Sequence, residues 1–258
     1  MAFPAPNQKA KVTLHWLNKS RAQRIVWLLE ELKIDYDLKV YKRLPSMFAP
    51  PALKKVHPLG KSPVIEIQAE GAEPKVIAES ALIAEYLAEY FGPSLIPARY
   101  APGKEGQIGG ETEEWLRYKF FMNYAEGSLM PLNLIALIMN QLKSPRIPFL
   151  IRPISKIIAG QVESGFLKSN YKTHLQYLES LLTGTDSEEF LCGPNLTVAD
   201  ILMVFPLEGA QDRAEFGDLY PKLAAYIKRI KEREAYKSAV EKAKRAESAT
   251  TEHISGSL

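Results

Sequence analysis

The stretch Lys61-Ser62-Pro63-Val64-Ile65, followed by Ile77-Ala78-Glu79-Ser80-Ala81, decides how this chain is read. It spells a loop beside a proline, two short strands, and a helix that opens on Glu-Ser. The unpaired N–H groups and positive dipole end of a helix N-terminus make a seat for a carboxylate. Pro63, just ahead of a strand, is read as a cis peptide that leaves the N–H and C=O of Ser62 facing sideways. One segment thus offers an edge for an extended peptide backbone and a pocket for a peptide carboxylate. That pairing suits a small anionic peptide.

The residues before this stretch supply its frame. Residues 12–16 alternate as a strand, and residues 20–32 switch to helical spacing through Ile25, Leu28, Leu29 and Leu32. Residues 37–40 return as a second strand, which makes a β-α-β unit with a parallel pair. Pro58-Leu59-Gly60 is a turn, and residues 64–67 and 75–77 form a hairpin around Gly71. Leu82, Ile83, Tyr86, Leu87 and Tyr90 give the next helix one apolar face. Strand-helix-strand followed by strand-strand-helix is the thioredoxin-like order.

Proline and glycine crowd residues 94–110 without periodicity, so this stretch is read as a linker. The pattern beyond it is helical throughout. The expected organisation is a thioredoxin-like domain over residues 10–93, a linker over 94–110, an all-helical domain over 111–246 and a frayed tail over 247–258. Residues 111–142 read as one long helix or two, with a kink at Pro131. The charge run over residues 228–244 reads as a solvated helix face.

Composition narrows the function. A net charge of +3 is too slight for nucleic-acid binding. The single cysteine, Cys192, rules out an intramolecular disulfide and leaves the first domain without a thiol nucleophile. It reads as a small buried hydrophobe. His15 and His57 lack partners at metal-ligand spacing, so no metal site is read. With no apolar leader at residues 1–10 and no run long enough to span a bilayer, a cytoplasmic protein is expected.

Several short motifs carry two readings each. Ser20-Arg21-Ala22-Gln23 is a capping box in which Gln23 reaches back, yet a capping serine keeps its own hydrogen to donate to a bound thiolate. Such a donor near a helix N-terminus lowers a thiol pKa. Asn18 is an alternative donor through its amide. Ser80 caps its helix or holds a ligand carboxylate there, with Glu79 accepting from the ligand's ammonium group. Leu196-Thr197-Val198-Ala199-Asp200-Ile201 is structural, with Thr197 capping and Asp200 reaching back. Tyr118, Met122 and Tyr124 belong to an aromatic cluster that is mostly core, and those facing the first domain wall an electrophile pocket. Residues 142–158 alternate Lys143, Arg146, Arg152 and Lys156 with large apolar residues. A packed connection between helices is the preferred reading there, ahead of a patch that rests on a membrane surface or caps the substrate cleft.

Taken together, Leu14-His15-Trp16-Leu17-Asn18-Lys19-Ser20-Arg21, Tyr41-Lys42-Arg43, Ala49-Pro50-Pro51, His57-Pro58-Leu59-Gly60-Lys61-Ser62-Pro63, Glu79-Ser80 and Tyr124-Ala125-Glu126-Gly127-Ser128-Leu129-Met130-Pro131 resemble the cytosolic glutathione transferases, closest to the fungal Gtt-type branch. The resemblance implies a thioredoxin-like domain that binds glutathione as co-substrate, an all-α domain completing the second-substrate pocket, and a homodimer. It implies that Ser62 pairs its backbone with the cysteinyl unit beside cis-Pro63. Glu79 and Ser80 then hold the γ-glutamyl end, and Lys61 lies against the peptide. Ser20 falls in the region of the serine used by serine-type classes. Phe48-Ala49 stands where related classes carry a His-Lys pair for the glycyl carboxylate. The expected activity is thiolate attack on a small hydrophobic electrophile or hydroperoxide. A non-catalytic interaction or carrier protein on the same fold is the rival reading.

Overall fold

The computed structural model describes residues 8–182, 190–211, 213, 216 and 218–255. They divide into two compact units, residues 1–97 with 230–258, and residues 98–229.

The first unit is built on a four-stranded sheet in the order β2-β1-β3-β4. β1 (Ala10–Leu17) runs into α1 (Ala22–Glu31) and β2 (Tyr36–Tyr41). β1 and β2 pair in parallel, with Val12 opposite Tyr36. β3 (Val64–Ala69) returns antiparallel to β1, with His15 opposite Val64, and β4 (Lys75–Ala78) returns antiparallel to β3. α2 (Ser80–Phe91) follows β4 directly. Leu14 of the central strand is completely buried, as are Ile25, Leu28 and Leu29 of α1 and Ile83 and Leu87 of α2. The spacing read from the sequence holds for α1. In α2 only Ile83 and Leu87 of the expected face are buried, together with Ala84 and Ala88, while Leu82 and Tyr90 are exposed.

Against the sequence reading, the C-terminal helix belongs to this first unit. α9 (Glu234–Ser255) packs on α1. Arg233 clasps Glu31 through Nε at 2.6 Å and Nη2 at 3.0 Å, while Ser238 and Lys242 both reach Glu30 at 2.6 Å. Trp27 meets Tyr236 edge-on, with ring centroids 5.3 Å apart. The basic run is thus partly a docking face, its charges answered by two carboxylates of α1. The helix continues to Ser255, past the expected start of the tail at residue 247, and residues 256–258 lie outside the described residues.

The expected linker is also corrected in part. Residues 98–110 belong to the second unit through a turn-rich loop, in which Ala101 N–H bonds the Gly110 carbonyl at 2.9 Å and Tyr100 bridges to Glu111. Thr112 then caps α3 (Glu113–Tyr124) by accepting from Trp115 N–H. A π turn at Ala125–Leu129 joins α3 to α4 (Met130–Leu142). The irregularity sits there, ahead of Pro131. Proline has no N–H to offer the carbonyl four residues back, and Met130 N–H bonds Ala125 across the wider turn. α5 (Arg152–Val162) and α6 (Lys168–Leu181) are joined by a second π turn, Glu163–Leu167. α7 (Val198–Gln211) and α8 (Pro221–Glu232) follow. Among the described residues, no helix is long and apolar enough to cross a membrane.

Asp200 is the polar centre of this unit. It is completely buried, and its carboxylate accepts from Leu191 N–H, Thr197 N–H, the Thr197 hydroxyl and the Tyr226 hydroxyl at 2.7–2.9 Å. Asp200 reaches back to Thr197 as the sequence pattern required, but the threonine hydroxyl gives its hydrogen to Asp200. Cys192 is buried beside it, and burial pushes its thiol well above the usual range. Replacing Asp200 by alanine strands two backbone N–H groups and should cost at least about 3 kcal/mol, read from urea unfolding; a cost under about 1 kcal/mol would refute the assigned role.

His15 is buried on the sheet, with Tyr41 Oη and Glu66 Oε1 each 2.9 Å from its two ring nitrogens. Burial lowers its pKa from 6.5 despite the neighbouring Glu66, and burial lowers that of His174 as well. The unfolded chain binds protons at these rings that the folded protein refuses, so stability falls as pH drops below 6.5. The urea midpoint should be lower at about pH 5.5 than at about pH 7.5, and His15→Gln should flatten part of that difference.

Candidate active site

Two antiparallel returns bring the sequence motifs to one edge of the sheet. β1 ends at this edge; β3, antiparallel to it, begins there, and β4, antiparallel to β3, ends there. Val64 pairs with Ala78, which sets Pro63 and Ser62 beside Glu79 and Ser80. Leu17 N–H donates to Ser62 Oγ at 3.1 Å, and that hydroxyl donates in turn to the His15 carbonyl at 2.9 Å. The Ser62 side chain is thus spent on fixing the loop to β1. Its backbone N–H and C=O have no partner among the described residues. The Ser62-Pro63 bond is cis. Gly60, in a left-handed conformation at φ +58°, closes the preceding turn by donating its N–H to the His57 carbonyl at 2.8 Å. Lys61 follows it, exposed and without an ion-pair partner among the described residues.

At the start of α2 the roles read from sequence shift by one position. Glu79, at φ 72°, is the residue that caps the helix by backbone geometry, and its carbonyl takes the Ile83 N–H at 2.9 Å. Ser80 is the first helical residue and is buried. Its hydroxyl, and the N–H groups of Ser80, Ala81 and Leu82, have no acceptor or donor partner among the described residues. The Glu79 side chain is exposed. A left-handed backbone at a residue with a side chain costs free energy that the surroundings must offset.

Ser20 lies in the connection from β1 to α1 and keeps only 8% of its exposure. The expected capping box is not formed: Arg21 occupies the cap position, and Ser20 Oγ accepts from Ala22 N–H at 3.2 Å. The serine's own hydrogen finds no acceptor among the described residues. Asn18 is half-buried, and its side-chain oxygen accepts from Arg43 N–H at 2.8 Å, so its amide hydrogens also remain to be given. Both candidate donors therefore survive.

Arg43, which the sequence offered only as part of the family resemblance, holds this connection together. Its guanidinium donates to the backbone carbonyls of Asn18, Lys19 and Met47 at 2.9–3.1 Å. Only its position just after a strand that ends beside β1 signalled this. In the second unit, Tyr118, Met122 and Tyr124 of α3 are all buried, and the Tyr124 hydroxyl hydrogen-bonds His174 Nδ1 of α6. Burial holds the Tyr124 phenol above its usual range.

The family model for the glutathione S-transferase N-terminal domain matches residues 20–89, and that for the C-terminal domain matches residues 145–243. The chain is 32% identical to glutathione S-transferase 1 of Saccharomyces cerevisiae, over 90% of this chain and 95% of the relative. It is also 32% identical to glutathione S-transferase 3 of Schizosaccharomyces pombe, over 90% of this chain and 87% of the relative. A crystal structure of a glutathione S-transferase from Actinobacillus pleuropneumoniae shares 30% identity and a TM-score of 0.63, covering 90% of this chain and 92% of that one.

Arg43→Met should loosen the connection without touching its sequence. Amide exchange at Lys19 and Ser20 is expected to accelerate by about tenfold or more, with a stability loss of about 1–2 kcal/mol. Unchanged exchange would mean that the connection holds its shape without the guanidinium.

Proposed function

The chain belongs to the glutathione transferase family, and from that premise we propose that it ionises the glutathione thiol and directs it at hydrophobic electrophiles, with organic hydroperoxides among the acceptors. The observation that carries this reading is the gathering of uncommitted backbone and hydroxyl groups at one sheet edge. The free N–H and C=O of Ser62 pair with the cysteinyl backbone. The open N-terminus of α2 and the Ser80 hydroxyl hold the γ-glutamyl carboxylate, whose ammonium group turns to Glu79. Lys61 lies along the peptide. Ser20, or Asn18 in its place, donates to the sulfur. The working form is a cytoplasmic homodimer.

The energetics are modest. A free thiol titrates at about 8.5, and about 3 kcal/mol of preferential stabilisation of the thiolate lowers that by roughly two units. One hydroxyl donor together with the dipole of α1 is of the right order. In transfer, the sulfur forms a bond to the electrophilic carbon while the leaving group departs with its electron pair. In peroxide reduction, the thiolate attacks the terminal oxygen, the O–O bond breaks, and the alkoxide takes a proton. A second glutathione then displaces water from the resulting sulfenic acid to give the disulfide.

The thiolate absorbance of bound glutathione, titrated against pH, tests this. The wild type is expected to show a thiol pKa about two units below the free value, returning toward it in Ser20→Ala. A pKa that stays depressed in Ser20→Ala and rises in Asn18→Ala would move the donor role to Asn18. Absence of glutathione binding in the wild type would favour the carrier reading.

A further inference from the structure

The second unit leaves a large apolar surface uncovered between residues 134 and 166. A packed connection would bury the large side chains of residues 142–158, yet Phe149, Leu150, Ile151, Ile154, Ile157 and Ile158 are between 51% and 75% exposed. They form the loop between α4 and α5 and the outer face of the first turns of α5. Soluble domains rarely leave so many neighbouring large apolar side chains in water without a use for them.

The charges of the same segment are one-sided. No aspartate or glutamate occurs from Gly127 to Val162. Lys143 is paired with Glu163, and Arg152 is turned inward onto the loop. Arg146 and Lys156 remain exposed, with no partner among the described residues. The loop also closes its own backbone. Arg152 donates to the carbonyls of Pro145 and Ile147 at 2.9–3.1 Å, and Ser155 Oγ reaches the Leu142 carbonyl at 2.8 Å. A loop whose carbonyls are answered internally enters an apolar layer at much lower cost than one with naked carbonyls.

We propose that the α4–α5 loop and the first turns of α5 form a docking face for an anionic phospholipid surface. Phe149, Leu150 and Ile151 enter the boundary between headgroups and acyl chains, the isoleucines of α5 lie along it, and Arg146 and Lys156 meet lipid phosphates. The charge pattern selects this occupant over a second copy of the chain. Two-fold pairing through this face sets the Arg146 and Lys156 of one copy near those of the other, with no carboxylate in the segment to separate them. A bilayer of anionic lipid complements both parts of the face at once.

Co-sedimentation of the full-length chain tests this, with vesicles of phosphatidylcholine alone and vesicles carrying about one-third phosphatidylserine. The wild type should partition onto the anionic vesicles and lose that partition as salt rises. The pair Arg146→Glu/Lys156→Glu should reduce it by at least about tenfold. Phe149→Ser/Leu150→Ser should reduce it comparably, with the bound thiol pKa unchanged in both variants. Failure of the wild type to partition, or equal partition by both variants, overturns the proposal. So does a drop in sedimenting mass of Phe149→Ser/Leu150→Ser in the absence of vesicles, which would assign the face to a second copy.

Discussion

The antiparallel return of β3 onto β1, and of β4 onto β3, is the constraint on which the candidate site rests. Each motif is chemically unremarkable where it stands in the sequence. The ladder that sets His15 opposite Val64, and Val64 opposite Ala78, turns three separate chain ends into one edge. A slip of one residue would carry Ile65 and Ile67 out of the core and move Ser62 away from Leu17. Register and site are therefore specified together. The apolar face of β3 selects the pairing, and the pairing delivers Ser62-Pro63 to Glu79-Ser80. The hydroxyl of Ser62 then ties the arrangement down by bridging Leu17 and His15. Its unused backbone is what remains for a ligand.

What could be read from the sequence follows the range of the physics involved. The β-α-β-β-β-α order was legible because strand and helix periods are local. The cis bond at Pro63 was legible because it is set by its neighbours in the chain. At Glu79-Ser80 the start of the helix was legible, but the cap fell on Glu79 and not on Ser80. Misreadings arose where an outcome depended on distant partners. The run from residue 228 to 244 has the charge pattern of a solvated face, and nothing within it shows that Glu30 and Glu31 answer Lys242 and Arg233. Arg43 stood in the sequence only as part of a family likeness; its role exists because β2 ends beside the β1 connection. The capping box failed through a competition between near neighbours. Ser20 Oγ took the Ala22 N–H, and Arg21 became the cap. In residues 142–158, sequence could show that apolar and basic residues alternate, but burial is a property of packing, and there the packing is absent.

Backbone conformation points to the same edge by an independent route. Among the described residues, the non-glycine positions with positive φ are Lys19, Lys33, Met47 and Glu79. Lys19 and Glu79 lie at the strand ends just described and Met47 in the loop that Arg43 clasps, and such conformations cost on the order of 1 kcal/mol or more each. The cost at Lys19 and Met47 is offset locally, because Arg43 donates to the carbonyl of both. Glu79 has no comparable clamp from its own side chain. It is held by the strand before it and the helix after it. Its conformation aims the chain so that α2 begins at once, leaving the N–H groups of Ser80, Ala81 and Leu82 open. A residue that simply capped the helix with its side chain would answer one of those N–H groups and close the seat. The strained backbone at Glu79 and the vacant donors beyond it are thus two aspects of one arrangement. A bound carboxylate would satisfy those donors while the exposed Glu79 side chain stays free to answer a positive charge, which is the polarity that an α-amino acid terminus presents.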